Sequence, residues 1–397
     1  MAAASPKFAA TVPELWIAPP ANPEFDLLCA CCTEIDEGDR LLRAIQQKMR
    51  WKLLAAMAGH HGVLPAVFQR LSAHGDIPPD ALDSLKRLEQ LNSRRALWLT
   101  NQLLRIAEKF DENRIAFLAY KGPILSQFLY GDVASRQFGD LDLLVRASDV
   151  ARALSIIRDL GYRSSLSLSP AQEKAYLSIG YEYSFDSDFG RNVLEIKWKI
   201  LPRFYAIPFD MDSLFSRART VNIGGSNILS LSPDDLFLVL CIHSAKHGWE
   251  KLSWLHDIAA LGQSATFDWD AIWREASRFG MKRILAINLE LANKFLQLPI
   301  PGNIKTYTES DKTVGRFVKT IGARIVAGEH CDVTRSAYFY EFSQLRERLR
   351  DRGRFWWRLI TTPGIGEWET ANLGNPASPL YRGVRMYRLA SKLKRRN

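Results

Sequence analysis

The chain has 397 residues and no uninterrupted apolar run near the roughly 18 that a membrane-spanning helix needs, so a soluble protein is expected. Cysteine is scarce. Its five residues, an odd number, argue against a disulfide framework and fit a reducing cytoplasm. Cys29, Cys31 and Cys32 have no second cluster at zinc spacing, and Cys241 sits inside the apolar run 236–242; all four read as buried thiols. The first residues, Met1 to Pro23, are rich in Ala and Pro. They lack the basic start and apolar centre of a signal peptide, which leaves a flexible leader. Internal repeats, low-complexity tracts and long Gly/Pro linkers are missing too, which favours one compact body. From Arg382 onward there is no acidic residue. That basic tail has no interleaved stacking aromatics and no nucleic-acid-binding motif, which argues against nucleic acid as the main partner. It reads as a solvated helix face, with an acidic partner (a leader peptide, RNA or anionic lipid) as the alternative.

What is present is ordinary for a globular protein: 47% hydrophobic residues, 24% charged, and 53 Lys and Arg against 43 Asp and Glu, a net charge of +10. The excess suits an anionic ligand without choosing one. Helical spacing dominates 25–112. Leu82, Leu85, Leu88 and Leu91, then Leu99, Leu103, Ile106 and Phe110, recur at steps of three and four. Pro79 sits where its missing N–H costs nothing, in a first helical turn. Residues 113–231 are mixed. Strands are expected near Ile115–Ala119 and Leu141–Val145, with hairpins over Tyr181–Phe185 and Val193–Ile200 and around Gly224-Gly225. Residues 232–397 return to helix after Ser232-Pro233-Asp234-Asp235, a good N-terminal cap. With the leader at 1–24, this gives an α+β body: a mixed sheet flanked by helical regions.

The chemistry concentrates between residues 114 and 145. A short strand leads into Lys121-Gly122-Pro123 and a helix of about two turns, and a second strand opens with Asp140 and Asp142. Residues i and i+2 of a strand share a face, so the two carboxylates project together. Beside a glycine turn that begins a helix, they suit a divalent cation bridging to a phosphate. Glu195, in Val193-Leu194-Glu195-Ile196-Lys197-Trp198, is the candidate third acid if its strand lies beside the first pair; otherwise it is a solvated partner of Lys197. Three neighbouring acids repel unless cations compensate, so Asp142→Asn is expected to leave stability unchanged or raise it. Lys121 is a phosphate contact or an exposed loop charge. Arg136 is a phosphate clamp or the partner of Asp132 or Asp140. His243 and His247, four apart on a helix, lack the Glu of a zincin motif, since Ser244 stands there. With Lys246 they face a nucleotide or else tie two helices together, with Trp249 and Trp254 as core.

The order strand, Lys121-Gly122, helix, Tyr130, Arg136, Asp140-Leu141-Asp142, strand resembles the nucleotidyltransferase superfamily. Together with Leu194–Lys199, His243–Trp249 and Leu252–Asp257 it is similar to the bacterial "uncharacterised nucleotidyltransferase" family, found beside lasso-peptide and polysaccharide biosynthesis genes. The resemblance runs from about residue 25 to the C-terminus. It implies a polymerase-beta-like fold that uses an NTP with Mg2+ or Mn2+, with Asp140 and Asp142 as metal ligands and Glu195 as the third acid. It also implies Lys246 reaching the triphosphate from the helical layer. The expected acceptor is a small molecule or a peptide. Two features depart from the pattern: the helix starts Gly122-Pro123 where Gly-Gly or Gly-Ser is usual, and Lys197 stands where relatives often carry His. A sugar-nucleotide donor, or a silent scaffold that binds a peptide or protein, are the alternatives on the same fold.

Overall fold

A computed structural model describes residues 22–33, 40–188, 190–264, 266–328, 335–370 and 378–394. Seven strands occur among them: β1 (Phe117–Ala119), β2 (Leu141–Val145), β3 (Arg163–Ser164), β4 (Glu182–Ser187), β5 (Gly190–Lys197), β6 (Arg219–Ile223) and β7 (Ser226–Ser230). The main sheet has the order β1-β2-β5-β4-β3, and β6 with β7 forms a separate hairpin. β2 and β5 run parallel, while the other neighbours in the main sheet are antiparallel. The fold class is therefore α+β around a mixed sheet.

Side chains alternate between two apolar layers. Phe117, Ala119, Leu141, Leu143, Val145, Leu194 and Ile196 face one core with the long helix Pro79–Glu112 and the helix Val150–Asp159. On the opposite face Leu118, Tyr120 and Leu144 join a larger core built from helices on both sides of the sheet in sequence, from Phe25 to Leu359. Asp142, Glu195 and Lys197 lie on that second face. They are thus roofed by helices, chiefly Pro233–Lys246, in which Ser232 caps the Asp235 N–H.

The helical reading of the leucines holds in the helix Pro79–Glu112, where Leu85 is buried and Leu91 is 61% exposed. Steps of three at about 100° per residue drift by roughly 60° each, which carries Leu91 to the far side from Leu82. Two details differ from the sequence reading. First, β5 ends at Lys197 instead of continuing to Ile200. Finally, much of the C-terminal basic charge is used internally. Arg346 is fully buried and its Nη2 donates to the Phe279 carbonyl (2.8 Å), while Arg385 and Arg388 both pair with Glu367. Residues 1–21 of the leader and the last three residues, Arg395 to Asn397, lie outside the described residues, whereas Asn22 to Glu24, assigned to the leader, are the capped and buried start of the helix Pro23–Cys31. Cys29, Cys31, Cys32 and Cys241 are all buried, and burial pushes the Cys29 and Cys31 thiols up to about 12.

Candidate active site

Register decides which acids meet. Asp142 lies directly across from Glu195 on the parallel pair β2–β5, and Lys197 lies across from Glu182 on β4. One carboxylate oxygen from each of Asp140, Asp142 and Glu195 falls within 4.8 Å of the others. Beside them the helix Gly122–Tyr130 begins. Lys121 occupies its N-cap, Gly122 has φ +60°, and Pro123 sits in the first turn. A Cβ on Gly122 would stand 3.2 Å from the Asp140 carbonyl oxygen, so glycine is required both for the left-handed backbone and for the close approach of turn and strand.

Cations already thread this cluster. Lys197 Nζ lies 2.9 Å from Asp142 Oδ1, 2.7 Å from Glu195 Oε2 and 2.8 Å from Glu182 Oε2, with 5% of its side chain exposed. Lys121 Nζ takes the other Asp142 oxygen, Oδ2, at 2.7 Å. Glu182 also accepts from the Tyr181 hydroxyl. Titration follows from this geometry. Burial alone would raise Asp142, but Lys121 and Lys197 hold it well below the usual carboxylate range. Glu195 is pushed up to about 7, by burial first and then by Glu182, Asp142 and Asp140, against the pull of Lys197. Asp140 is raised by burial and by Asp142. Burial opposes the charge on Lys197, yet Asp142, Glu182 and Glu195 keep it an ammonium. The acids are therefore held together by lysine, and the expected relief of repulsion in Asp142→Asn is corrected: removing that charge removes the partner of two ammoniums.

A small, open cavity lies alongside, lined among others by Tyr120, Lys121, Lys197, His243 and Lys246. Burial and the Lys121 ammonium push His243 well below its usual value, so its imidazole is neutral. Lys246 Nζ stands 5.4 Å from the Tyr181 ring centroid. His247 does not line this cavity. It is exposed, with its ring 4.6 Å from that of His243 and 5.5 Å from that of Trp254. Trp249 is core, and its indole N–H donates to Asn288 Oδ1 at 2.8 Å. Arg136 is not in the cavity either. Its Nε donates to both Asp257 oxygens (3.0 and 2.9 Å) and its Nη2 lies 2.9 Å from Oδ2, so neither the phosphate clamp nor the pairings with Asp132 and Asp140 describe it. Tyr130 donates to the same carboxylate at 3.1 Å. This buried knot ties the loop before β2 to the helix Leu252–Ser264.

Glu182 completes the cage around Lys197. Its one signal was its place at the start of the alternating run, and the register opposite Lys197 is a tertiary fact. The donor set fits a hard divalent cation. It offers three carboxylate oxygens within reach of one another.

Acids across a parallel strand pair, a glycine turn at a helix start and a lysine-lined cavity make up the candidate site. The chain belongs to the uncharacterised nucleotidyltransferase family, whose model matches residues 47–297. Membership supports nucleotidyl transfer as the general chemistry. Among solved structures, that of an antigenic nucleotidyltransferase-like protein from Paracoccidioides brasiliensis aligns with 50% of this chain and 93% of its own, at 15% identity and a TM-score of 0.30. That likeness is too loose to assign anything. No curated protein matches the chain. Among the described residues no helix is long and apolar enough to cross a membrane.

Proposed function

We propose that this chain is a cytoplasmic, metal-dependent nucleotidyltransferase that moves a nucleoside monophosphate from an NTP to a hydroxyl or phosphate of a small molecule or peptide, in natural-product or polysaccharide biosynthesis. Residues 113–231 form the catalytic core and the helical regions 25–112 and 232–397 wall it. The observation that carries this reading is the convergence of Asp140, Asp142 and Glu195 beside the Gly122 turn and the lysine-lined cavity.

Asp140, Asp142 and Glu195 would hold Mg2+ or Mn2+, which when bound neutralises phosphate charge and polarises the reacting phosphoryl group. The protein supplies the rest by placement. Lys121 and Lys246 bind phosphate oxygens from opposite walls of the cavity, one at the helix start and one from the helical roof. His243, neutral and without charge to attract phosphate, packs against the nucleotide. Glu195 orients the acceptor oxygen toward the α-phosphorus. A bond then forms from that oxygen to phosphorus, the proton of a hydroxyl acceptor passing to water, while the bond to the oxygen bridging the α- and β-phosphates breaks and pyrophosphate leaves. Arg136 acts at one remove, fixing the loop before β2 through Asp257.

The test uses NTP labelled on the α-phosphate, incubated with the protein, Mg2+ and an extract of small molecules and peptides. Label on an acceptor together with pyrophosphate release supports the reading. Transfer of γ-label, or of a hexose from a sugar nucleotide, rejects nucleotidyl transfer. Absence of nucleotide binding in calorimetry rejects the enzyme reading altogether.

A further inference from the structure

We propose that Lys197 is a cation built into this site, standing in place of a second metal, so that the chain takes one divalent cation and not two when triphosphate binds. The inference rests on the metal-site reading above and extends it.

Sites that use two metals set them about 3.5–4 Å apart, and a carboxylate that bridges them gives one oxygen to each. Asp142 is the bridging candidate here, and each of its oxygens already faces a lysine. The two lysines are not equivalent. Lys121 touches Asp142 from a helix N-cap at the cavity wall, with 12% of its side chain exposed, and its flexible stem can swing to phosphate while leaving its place to a cation. Lys197 is caged by Asp142, Glu182 and Glu195, which belong to three adjacent strands. Expelling it would strip the partly buried Glu182 of its direct ion pair, leaving the Tyr181 hydroxyl and the more distant charge of Lys246. Glu182 thereby becomes a positioning residue: it is across the sheet from Lys197 and holds the ammonium in the acid cluster.

The experiment counts metal ions in the full chain, using Mn2+ with inorganic tripolyphosphate, a probe with the phosphates and no base. Stoichiometry is read by calorimetry and by electron paramagnetic resonance, which distinguishes a lone Mn2+ from a magnetically coupled pair. The expected result is one uncoupled Mn2+ per wild-type chain, at least a tenfold gain in tripolyphosphate affinity from Mn2+, and a second, coupled Mn2+ in Lys197→Ala. Lys197→Arg should restore the count of one. If Lys197→Ala does not fold, Glu182→Gln, which loosens the cage, should gain partial occupancy of a second ion. Two coupled Mn2+ in the wild-type chain overturn this proposal and leave the metal site standing. No gain in affinity from Mn2+ overturns both.

Discussion

Asp142→Asn is the most informative single change, because the sequence and the structure disagree on its sign. As one of three adjacent acids, Asp142 should be a source of repulsion and its neutralisation stabilising. In the fold its side chain is 1% exposed and sits between two ammoniums at 2.7 and 2.9 Å. Breaking a buried ion pair by removing one partner costs roughly 3–5 kcal/mol. Asparagine keeps an oxygen for one lysine, and Lys197 retains Glu182 and Glu195, so a loss of about 2–3 kcal/mol is expected, at or just below the lower end of that range. At about 2.1 cal/mol/K per residue, a chain of this length has an unfolding entropy near 0.8 kcal/mol/K, which converts the loss into a Tm lower by about 2–4 °C. The pH dependence gives an independent check. The folded-state pKa of Asp142 lies well below its ordinary value of 3.8, so its stabilisation is fully present above pH 3.8 and fades as pH falls below it. Thermal unfolding in chelator should therefore show the variant less stable at pH 7, with the gap narrowing below pH 3.8. A variant Tm at or above wild type at pH 7 would refute the lysine-held arrangement and restore the repulsion argument.

Three further predictions follow from other parts of the fold. Arg136→Ala and Asp257→Asn should each lower stability by about 3–5 kcal/mol in urea unfolding, while Arg136→Met with Asp257→Leu should be less damaging than either alone; additive losses would mean the pair is not coupled. Gly122→Ala must adopt φ +60° with its Cβ 3.2 Å from the Asp140 carbonyl, so it should cost about 1–2 kcal/mol and weaken Mn2+ binding as the turn shifts against β2; unchanged Mn2+ affinity would detach the turn from the metal site. His61 is fully buried, and burial, then His60 and Lys251, pull its pKa down to about 3 from 6.5, while its Nδ1 accepts from the Leu252 N–H. The neutral form is the one the fold needs, so stability should be full above pH 6.5 and decline from there toward pH 3, and His61→Gln should flatten that slope in pH-dependent unfolding.

The sequence alone carried the alternation that placed Asp140 and Asp142 on one face, the Ser232 cap and the glycine turn before the helix Gly122–Tyr130. Each of these depends on backbone geometry within a few residues, where side-chain period and φ preference act without reference to the rest of the chain. The family likeness, too, was legible in the spacing of motifs along the chain. What lay beyond the sequence was everything set by pairing at a distance. Asp142 meets Glu195 only because β2 and β5, some fifty residues apart, share a parallel register, and a slip by one residue would turn the whole row to the other face. The cage of Lys197 needs β4 as well, and the partner of Arg136 comes from a helix 121 residues away. Local propensity is silent on such pairings, because desolvation and charge act on whatever the packed fold brings within a few ångströms. So the sequence singled out the candidate acids and the lysines beside them, and the tertiary structure decided that lysine, and not repulsion, governs the acids at the centre.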